Sequence, residues 1–305
     1  MKRVVWLLQT AVFYCFTWLV ALMPERMSER VGTGLGLLMR RVLGKRRRIA
    51  EDNIARTLVY MRSQPGWNCT IPDAEGIARE TFRNIGRALV EVCRLYHGHG
   101  VALINRTELR GKEHYDAARS KGKGMILLTA HCGNWELMAL SHAQLLGSTM
   151  SVVARRQNNP YLNAMVEKMR MSYDNRVIYK DNALKNMLSV LRQQGTVGLL
   201  VDQAVFPEEG CLISFLGRPA WASKAPVLLA RKTGIPVVPA FIHYTGDHYL
   251  IDLFPELVFS GDKSEEGWRA DVQIYSSAIE RFIIQHPTSW YWVHRRWKRA
   301  GEPAT

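Results

Sequence analysis

A histidine and a glutamate lie five residues apart, at His131 and Glu136, after an apolar run that begins at residue 125. The apolar run is typical of a buried strand, the Gly-Asn pair at 133–134 of a turn, and the segment 135–146 of a helix. This order would put an imidazole beside a carboxylate. A histidine oriented by a carboxylate can act as a general base near neutral pH. Such a histidine can equally be a structural residue that caps a turn or packs in the core, so the choice between these roles depends on the rest of the chain.

Polar side chains also follow two other predicted strands. One strand ends at residue 154 and is followed by Arg155 and Asn158, and another ends at residue 201 and is followed by Asp202. Taken singly, these residues could be surface groups or caps of turns and helices. In open α/β sheets, however, ligands bind beyond the carboxyl ends of the strands. Their shared position therefore predicts a site at one edge of the sheet.

The elements that must position these residues are visible in the pattern of the chain. From residue 121 onward, predicted strands and helices alternate, which is typical of an α/β fold with a mainly parallel central sheet flanked by helices. The predicted strands cover 124–130, 150–154, 176–178, 196–201, 236–244 and 248–253. The predicted helices cover 49–62, 74–96, 135–146, 160–173, 183–193, 222–232 and 266–285.

The N-terminal segment 4–24 contains no charged residue. About 20 apolar residues suffice to cross a bilayer, so we expect a membrane anchor over residues 1–26 that spans the bilayer or inserts deeply. An interfacial helix and a cleaved signal peptide are the alternatives. The basic cluster at 45–48 favours a cytoplasmic position for the rest of the chain, 27–305. We divide that region into a helical, membrane-associated part over 27–100 and an α/β core over 120–300.

The composition restricts the partners. The chain has 305 residues and a net charge of +14, from 41 basic and 27 acidic side chains. This excess favours an acidic partner: nucleic acid, an anionic membrane, or an acidic carrier or substrate; the alternative is a basic surface that serves only solubility. Zinc-finger, RNP and homeodomain patterns are absent from the sequence, so we expect no nucleic acid. The five cysteines are scattered without a C-x-x-C pair, which argues against a disulfide scaffold or a structural zinc site.

Together these motifs resemble a known family. The segment around His131 and Glu136 resembles the first block of the lysophospholipid acyltransferase superfamily, and more closely that of the bacterial lipid A biosynthesis (late) acyltransferases, the lauroyl and myristoyl transferases. The wider superfamily usually has Asp in place of Glu136, whereas Glu is common in the lipid A branch. The later blocks follow in the family's order and extend the resemblance over nearly the whole chain; they lie at 155–160, 201–203, 215–220, 228–239 and 291–298.

The resemblance implies a glycerol-phosphate-acyltransferase-like fold and a reaction. A fatty acyl chain would pass from an acyl carrier protein thioester to a hydroxyl of a lipid A precursor, with His131 as general base and Glu136 orienting its ring. Arg155, Asp202 and Asn158 would support the substrate or the oxyanion, with Asp202 holding Arg155 or positioning the glycolipid. Nearby backbone N–H groups are the alternative to Arg155 as oxyanion donors. No cofactor or metal is implied. Acyl-CoA is the alternative donor, and lysophospholipids or phosphatidylinositol mannosides are alternative acceptors.

The resemblance also implies a location and binding partners. The enzyme would lie at the bacterial inner membrane with its catalytic domain on the cytoplasmic side, and would bind membrane lipid, a phosphorylated glycolipid and acyl carrier protein. The basic residues expected to bind phosphate or the carrier are Arg218, Lys224, Arg231, Arg295, Arg296 and Lys298. A membrane-associated binding protein with an inactive site is a third possibility, against which the intact polar residues argue.

Overall fold

The computed structural model describes residues 2–179 and 181–301, so the last four residues of the predicted region 27–305 lie outside the described part. The chain begins with four long helices; these are α1 (Lys2–Ala21), α2 (Glu25–Val42), α3 (Gly44–Arg62) and α4 (Ala74–Tyr96). The predicted helices 49–62 and 74–96 are confirmed, although α3 begins earlier, at Gly44. Helices α2 and α4 cross so closely that a Cβ atom on Gly36 would lie 2.0 Å from the carbonyl oxygen of Phe82.

The rest of the chain alternates strands and helices. The strands are β1 (Glu108–Arg110), β2 (Met125–Thr129), β3 (Met150–Ala154), β4 (Arg176–Tyr179), β5 (Thr196–Leu200), β6 (Gly210–Phe215), β7 (Arg218–Ser223), β8 (Val237–Tyr244) and β9 (Tyr249–Leu253). The helices are α5 (Val101–Asn105), α6 (Lys112–Arg119), α7 (Trp135–Leu146), α8 (Pro160–Met171), α9 (Ala183–Arg192), α10 (Ala225–Thr233) and α11 (Glu265–Gln285).

Within residues 2–179 and 181–301, seven strands form one sheet in the order β1-β9-β8-β2-β5-β3-β4. Strands β8 and β9 are antiparallel, and the other neighbours in this sheet are parallel. The predicted fold class, a mainly parallel sheet flanked by helices, is therefore confirmed. Every residue of β2 is buried, as expected for a strand covered on both faces.

One predicted helix is wrong at its start. Residues 222–232 were expected to be helical, but α10 begins at Ala225 because the preceding residues belong to β7. Strands β6 and β7 form a separate antiparallel hairpin. Its turn places Leu216 at φ 51° and Gly217 at φ 75°, the left-handed pair that suits a tight hairpin. Leucine is an unusual residue for that conformation, so the turn gives little sequence signal.

Helix α1 packs against α4 and α8 and keeps most of its surface exposed. It is long and apolar enough to cross a membrane, a property that a signal sequence shares. The structure is thus consistent with the expected membrane anchor.

Candidate active site

The imidazole of His131 is held by the carboxylate of Asp202. Nδ1 of His131 lies 2.8 Å from Oδ1 of Asp202, and the backbone N–H of His131 donates to Oδ2 at 3.2 Å. The indole N–H of Trp290 donates to the same Oδ2 at 2.8 Å. Because Asp202 is only 1% exposed, its hydrogen bonds form away from solvent. Three hydrogen bonds thus converge on one buried carboxylate, and one of them, at Nδ1, orients the His131 ring.

The sheet register explains this pairing. Thr129, the last residue of β2, lies opposite Leu200, the last residue of β5. The two neighbouring strands end at the same level, and the chain delivers His131 and Asp202 two residues beyond those ends. Carboxyl ends of parallel strands meet at one edge of a sheet, where ligands bind in this fold class.

The C-terminal segment completes the site. Cys132 forms a β-bridge with Trp290, and the N–H of Tyr291 donates to the carbonyl of His131 at 2.9 Å. Gly133 adopts φ 50°, and a Cβ atom there would lie 2.4 Å from the carbonyl oxygen of Ile242. Only glycine fits this turn, which seats the histidine loop between β8 and the segment that carries Trp290.

Glu136 does not orient the His131 ring, contrary to the sequence-based expectation. Its Oε1 pairs with Nη2 of Arg170 at 2.5 Å, and its Oε2 accepts from Arg170 Nε at 3.2 Å and from the hydroxyl of Tyr96 at 3.1 Å. Glu136 lies in the first turn of α7, whose N-cap Asn134 accepts from Leu137 N at 3.0 Å. The local cap and the bidentate arginine thus direct this carboxylate away from the ring nitrogens.

The charges of the site favour protonation of His131. Burial by itself would lower the pKa of His131, but the charge and hydrogen bond of Asp202 and the charge of Glu136 outweigh it and raise the pKa above its ordinary value. Burial would raise the pKa of Asp202, yet the neighbouring His131, His294 and Trp290 hold it well below the usual range. Asp202 therefore stays ionised at neutral pH and stabilises an imidazolium at His131.

A cavity of about 230 Å³ brings further predicted residues together. It is lined by His131, Glu136 and Arg155, and also by Arg170, which sequence reasoning missed. No spacing rule links Arg170, in the last turn of a helix, to a glutamate 34 positions earlier. Both expected roles of Asp202 are wrong in this structure. Its oxygens are used by His131 and Trp290 rather than by Arg155, and its burial removes it from contact with a glycolipid.

Asn158 is exposed in the loop before α8. Its neighbour Asn159 makes the structural contacts, because its Oδ1 caps α8 through the N–H groups of Tyr161 and Leu162 at 3.0 and 3.2 Å. The role predicted for Asn158 remains a prediction.

A larger cavity of about 540 Å³ is apolar and reaches the same site. Helices α1, α2, α4 and α8 form its walls. At one end it is lined by Trp135, Glu136 and Tyr291. The ring centroids of Trp135 and Tyr291 lie 5.1 and 6.2 Å from that of His131. Trp135, Glu136 and Gln157 line both cavities, so the apolar space and the polar cavity meet beside the histidine.

Two of the basic residues expected to bind phosphate or carrier have structural roles instead. Arg296 is 1% exposed, lies over the Phe215 ring at 4.8 Å and donates to the Trp221 carbonyl at 2.5 Å, so it is not available to a phosphate. Arg231 pairs with Asp271 at 2.6 Å inside the fold rather than on a docking face. Both predictions are wrong because aromatic and acidic partners from other elements cover these guanidinium groups.

The other basic residues remain predictions. Arg218 lies over the ring of Trp297 at 4.3 Å. Lys224 and Arg295 are half-buried, and Lys298 is exposed.

Among the described residues, three side chains of types that can bind a metal ion lie close together. They are His243 at the end of β8, Asp252 on β9 and His286 after α11. The two imidazoles stack with centroids 3.8 Å apart, and Asp252 accepts from Nε of Arg110 at 2.5 Å. The Asp252 carboxylate is already engaged by Arg110 and by Nε2 of His243 at 3.3 Å, so we assign no metal here. That the reaction needs no metal remains a prediction.

Comparison with known proteins defines the class. A family model described as bacterial lipid A biosynthesis acyltransferase matches residues 3–299. The chain therefore belongs to this family and is an acyltransferase, which confirms the resemblance inferred from its motifs.

Individual relatives agree over most of their length. A lipid A biosynthesis acyltransferase of Haemophilus influenzae is 23% identical over 99% of this chain and 91% of its own length. A lipid A biosynthesis lauroyltransferase of Escherichia coli is 24% identical over 93% of this chain and 90% of its own length. A phosphatidylinositol mannoside acyltransferase of Mycobacterium tuberculosis is 26% identical over 71% of this chain and 69% of its own length.

Proposed function

We propose that this acyltransferase moves a fatty acyl chain from an acyl carrier protein thioester to a hydroxyl of a lipid A precursor. The observation that carries the proposal is the meeting of the apolar cavity with the His131–Asp202 pair. A fatty chain requires an apolar channel, and a hydroxyl nucleophile requires a base at the end of that channel. The names of the Haemophilus and Escherichia relatives support lipid A as the acceptor.

His131 acts as the base through Nε2, because Nδ1 keeps its proton and donates a hydrogen bond to the Asp202 carboxylate. As the acceptor oxygen attacks the thioester carbon, its proton passes to Nε2 and a tetrahedral oxyanion forms. When the carbon–sulfur bond breaks, the imidazolium returns the proton to the leaving thiolate. The substrate hydroxyl takes the place that serine has in a Ser-His-Asp triad, so no covalent enzyme intermediate is needed.

The two carboxylates then have different roles. Asp202 holds the ring and stabilises the imidazolium through direct contact, and Glu136 adds a second negative charge while it positions Arg170. Arg155 lines the cavity beside His131 and is our choice for the developing oxyanion, because Arg170 is already engaged by Glu136. Loss of one oxyanion donor typically costs about 10²–10³ in rate.

The charge of the chain supports the proposed carrier protein and location. A chain with a net charge of +14 attracts an acidic carrier and an anionic membrane surface. The apolar α1 and the basic cluster at 45–48 support a place at the inner membrane with the site on the cytoplasmic side.

The test is a choice of substrates. Purified full-length protein in detergent would receive acyl carrier protein and CoA thioesters of the same chain, each with a lipid A precursor, a phosphatidylinositol mannoside and a lysophospholipid. We expect transfer from the carrier thioester to the lipid A precursor to be fastest. The second candidate, suggested by the mycobacterial relative, requires preference for the mannoside. A preference for acyl-CoA onto the lysophospholipid would contradict the proposal.

A further inference from the structure

Helix α1 has one face that contacts the protein. Residues at positions 6, 10 and 13 are half-buried, and Thr17 and Val20 are 3% and 6% exposed. Their spacing of three and four residues places them on one stripe of the helix. Leu8 and Leu19, on other faces, are 64% and 60% exposed. A helix that served only to hold the enzyme in lipid would need no such stripe.

Hydrogen bonds fix this face at both ends of the helix. The Asn159 side chain donates to the carbonyl of Trp6 at 2.9 Å, and Nε of Arg3 donates to the hydroxyl of Tyr161 at 2.8 Å. Farther along, Oγ1 of Thr17 and Nε2 of His97 are 2.9 Å apart. Asn159 also caps α8, directly after the loop that carries Arg155. The position of α1 is therefore tied to the elements that form the active site.

The same face borders the apolar cavity. Phe13, Thr17 and Val20 of this face line it, opposite Leu89 and other apolar residues of α4, and Phe16, which is 56% exposed, lines it from the margin of the face. Removal of α1 would open one side of the cavity to its surroundings. The apolar side chains of α1 thus determine how much enclosed length and width the cavity offers.

We propose that α1 is a wall of the acyl-chain site and that Phe13 and Val20 determine which chain length is transferred. This inference rests on the proposed function, since it requires the apolar cavity to hold the fatty chain of the donor. A chain that is too long meets the packed wall, and a chain that is too short leaves apolar surface unfilled. One methylene in a hydrophobic pocket changes discrimination by about 10- to 200-fold.

Two opposite substitutions test the wall. Val20→Trp fills the cavity, whereas Phe13→Ala enlarges it. The matched controls are Leu19→Trp and Val12→Ala, which make the same kind of change at positions 60% and 61% exposed. Purified full-length proteins in detergent would receive an equimolar mixture of carrier thioesters with saturated chains of graded length, and mass spectrometry of the lipid A product would give the distribution of transferred chains.

We expect Val20→Trp to shift the preference toward shorter chains by about tenfold or more, and Phe13→Ala to shift it toward longer chains. The controls should keep the wild-type distribution. A merely structural role of α1 would lower all products together without changing their ratio. Unchanged ratios in both inward variants, with an active wild type, would overturn this inference alone. Failure of the wild type to acylate the lipid A precursor would overturn the proposed function as well.

Discussion

Replacement of Asp202 by asparagine removes one charge from the site at nearly constant volume. Asp202 accepts from Nδ1 and the backbone N–H of His131 and from the indole of Trp290. An asparagine has one acceptor oxygen and one donor group. If its oxygen faces the ring, its NH₂ group meets the N–H donors of Trp290 and of the His131 backbone. If it is flipped, the NH₂ group faces Nδ1, and the ring proton must move to Nε2, which then cannot act as the base.

The expected loss of kcat is taken from the Ser-His-Asp triad of serine proteases. There the same Asp-to-Asn change lowers kcat about 10⁴-fold because it selects the wrong tautomer. At about 1.36 kcal/mol per tenfold, this corresponds to about 5.5 kcal/mol in activation free energy. We expect Asp202→Asn to lower kcat by about 10³–10⁴-fold. KM should change little, since the buried carboxylate does not reach the substrate.

Steady-state kinetics with carrier thioester and lipid A precursor would measure this loss, with thermal unfolding as a check on folding. Asp271→Asn is the matched control, because Asp271 is also a buried, ion-paired carboxylate but lies on α11 beside Arg231. It should lower stability without a comparable loss of kcat per folded molecule. A folded Asp202→Asn variant with kcat within tenfold of wild type would refute the assignment of Asp202 as the partner of His131.

Two further predictions concern the charges around the histidine. Only the neutral His131 ring is a base, and its pKa is raised, so kcat/KM should rise with pH with a midpoint above the ordinary histidine pKa of about 6.5. The residual activity of Asp202→Asn should rise with a midpoint at lower pH than that of the wild type. An equal midpoint in a pH–rate profile of both proteins would speak against this electrostatic coupling. Arg170→Ala should lower both activity and the free energy of unfolding, the latter by about 1–3 kcal/mol, because it leaves Glu136 without its bidentate partner. In chemical denaturation, Arg170→Lys should keep part of the free energy of unfolding that Arg170→Ala loses. The control Lys112→Ala breaks the exposed pair with Asp116 and should lower the free energy of unfolding by about 0–1 kcal/mol. Equal losses in Arg170→Ala and Lys112→Ala would contradict the role given to Arg170.

The sequence indicated the edge of the sheet at which the site lies, because His131, Arg155 and Asp202 each follow an apolar strand. It did not indicate which carboxylate holds the imidazole. A glutamate five residues away is the obvious local partner, whereas the register of β2 against β5 brings a residue 71 positions away into contact. Strand order in a parallel sheet depends on crossover connections and cannot be read from local periodicity.

The basic residues show a second limit of sequence patterns. The motif at 291–298 suggested a row of phosphate-binding cations, yet the guanidinium of Arg296 lies over the Phe215 ring within the core. A guanidinium can stack on an aromatic ring as readily as it binds an anion, so residue type alone does not separate the two roles. The apolar cavity was equally hidden, because its walls come from four helices that are distant from one another in the sequence.

The most direct test of the proposed chemistry is His131→Ala. Transfer of a labelled acyl chain from carrier thioester to lipid A precursor would be compared between this variant and wild type, with sedimentation to confirm that both proteins associate with membranes equally. Removal of the general base should lower the rate by about 10²–10⁴-fold while membrane association is unchanged. Undiminished transfer by the variant would contradict the assignment of His131 as the base.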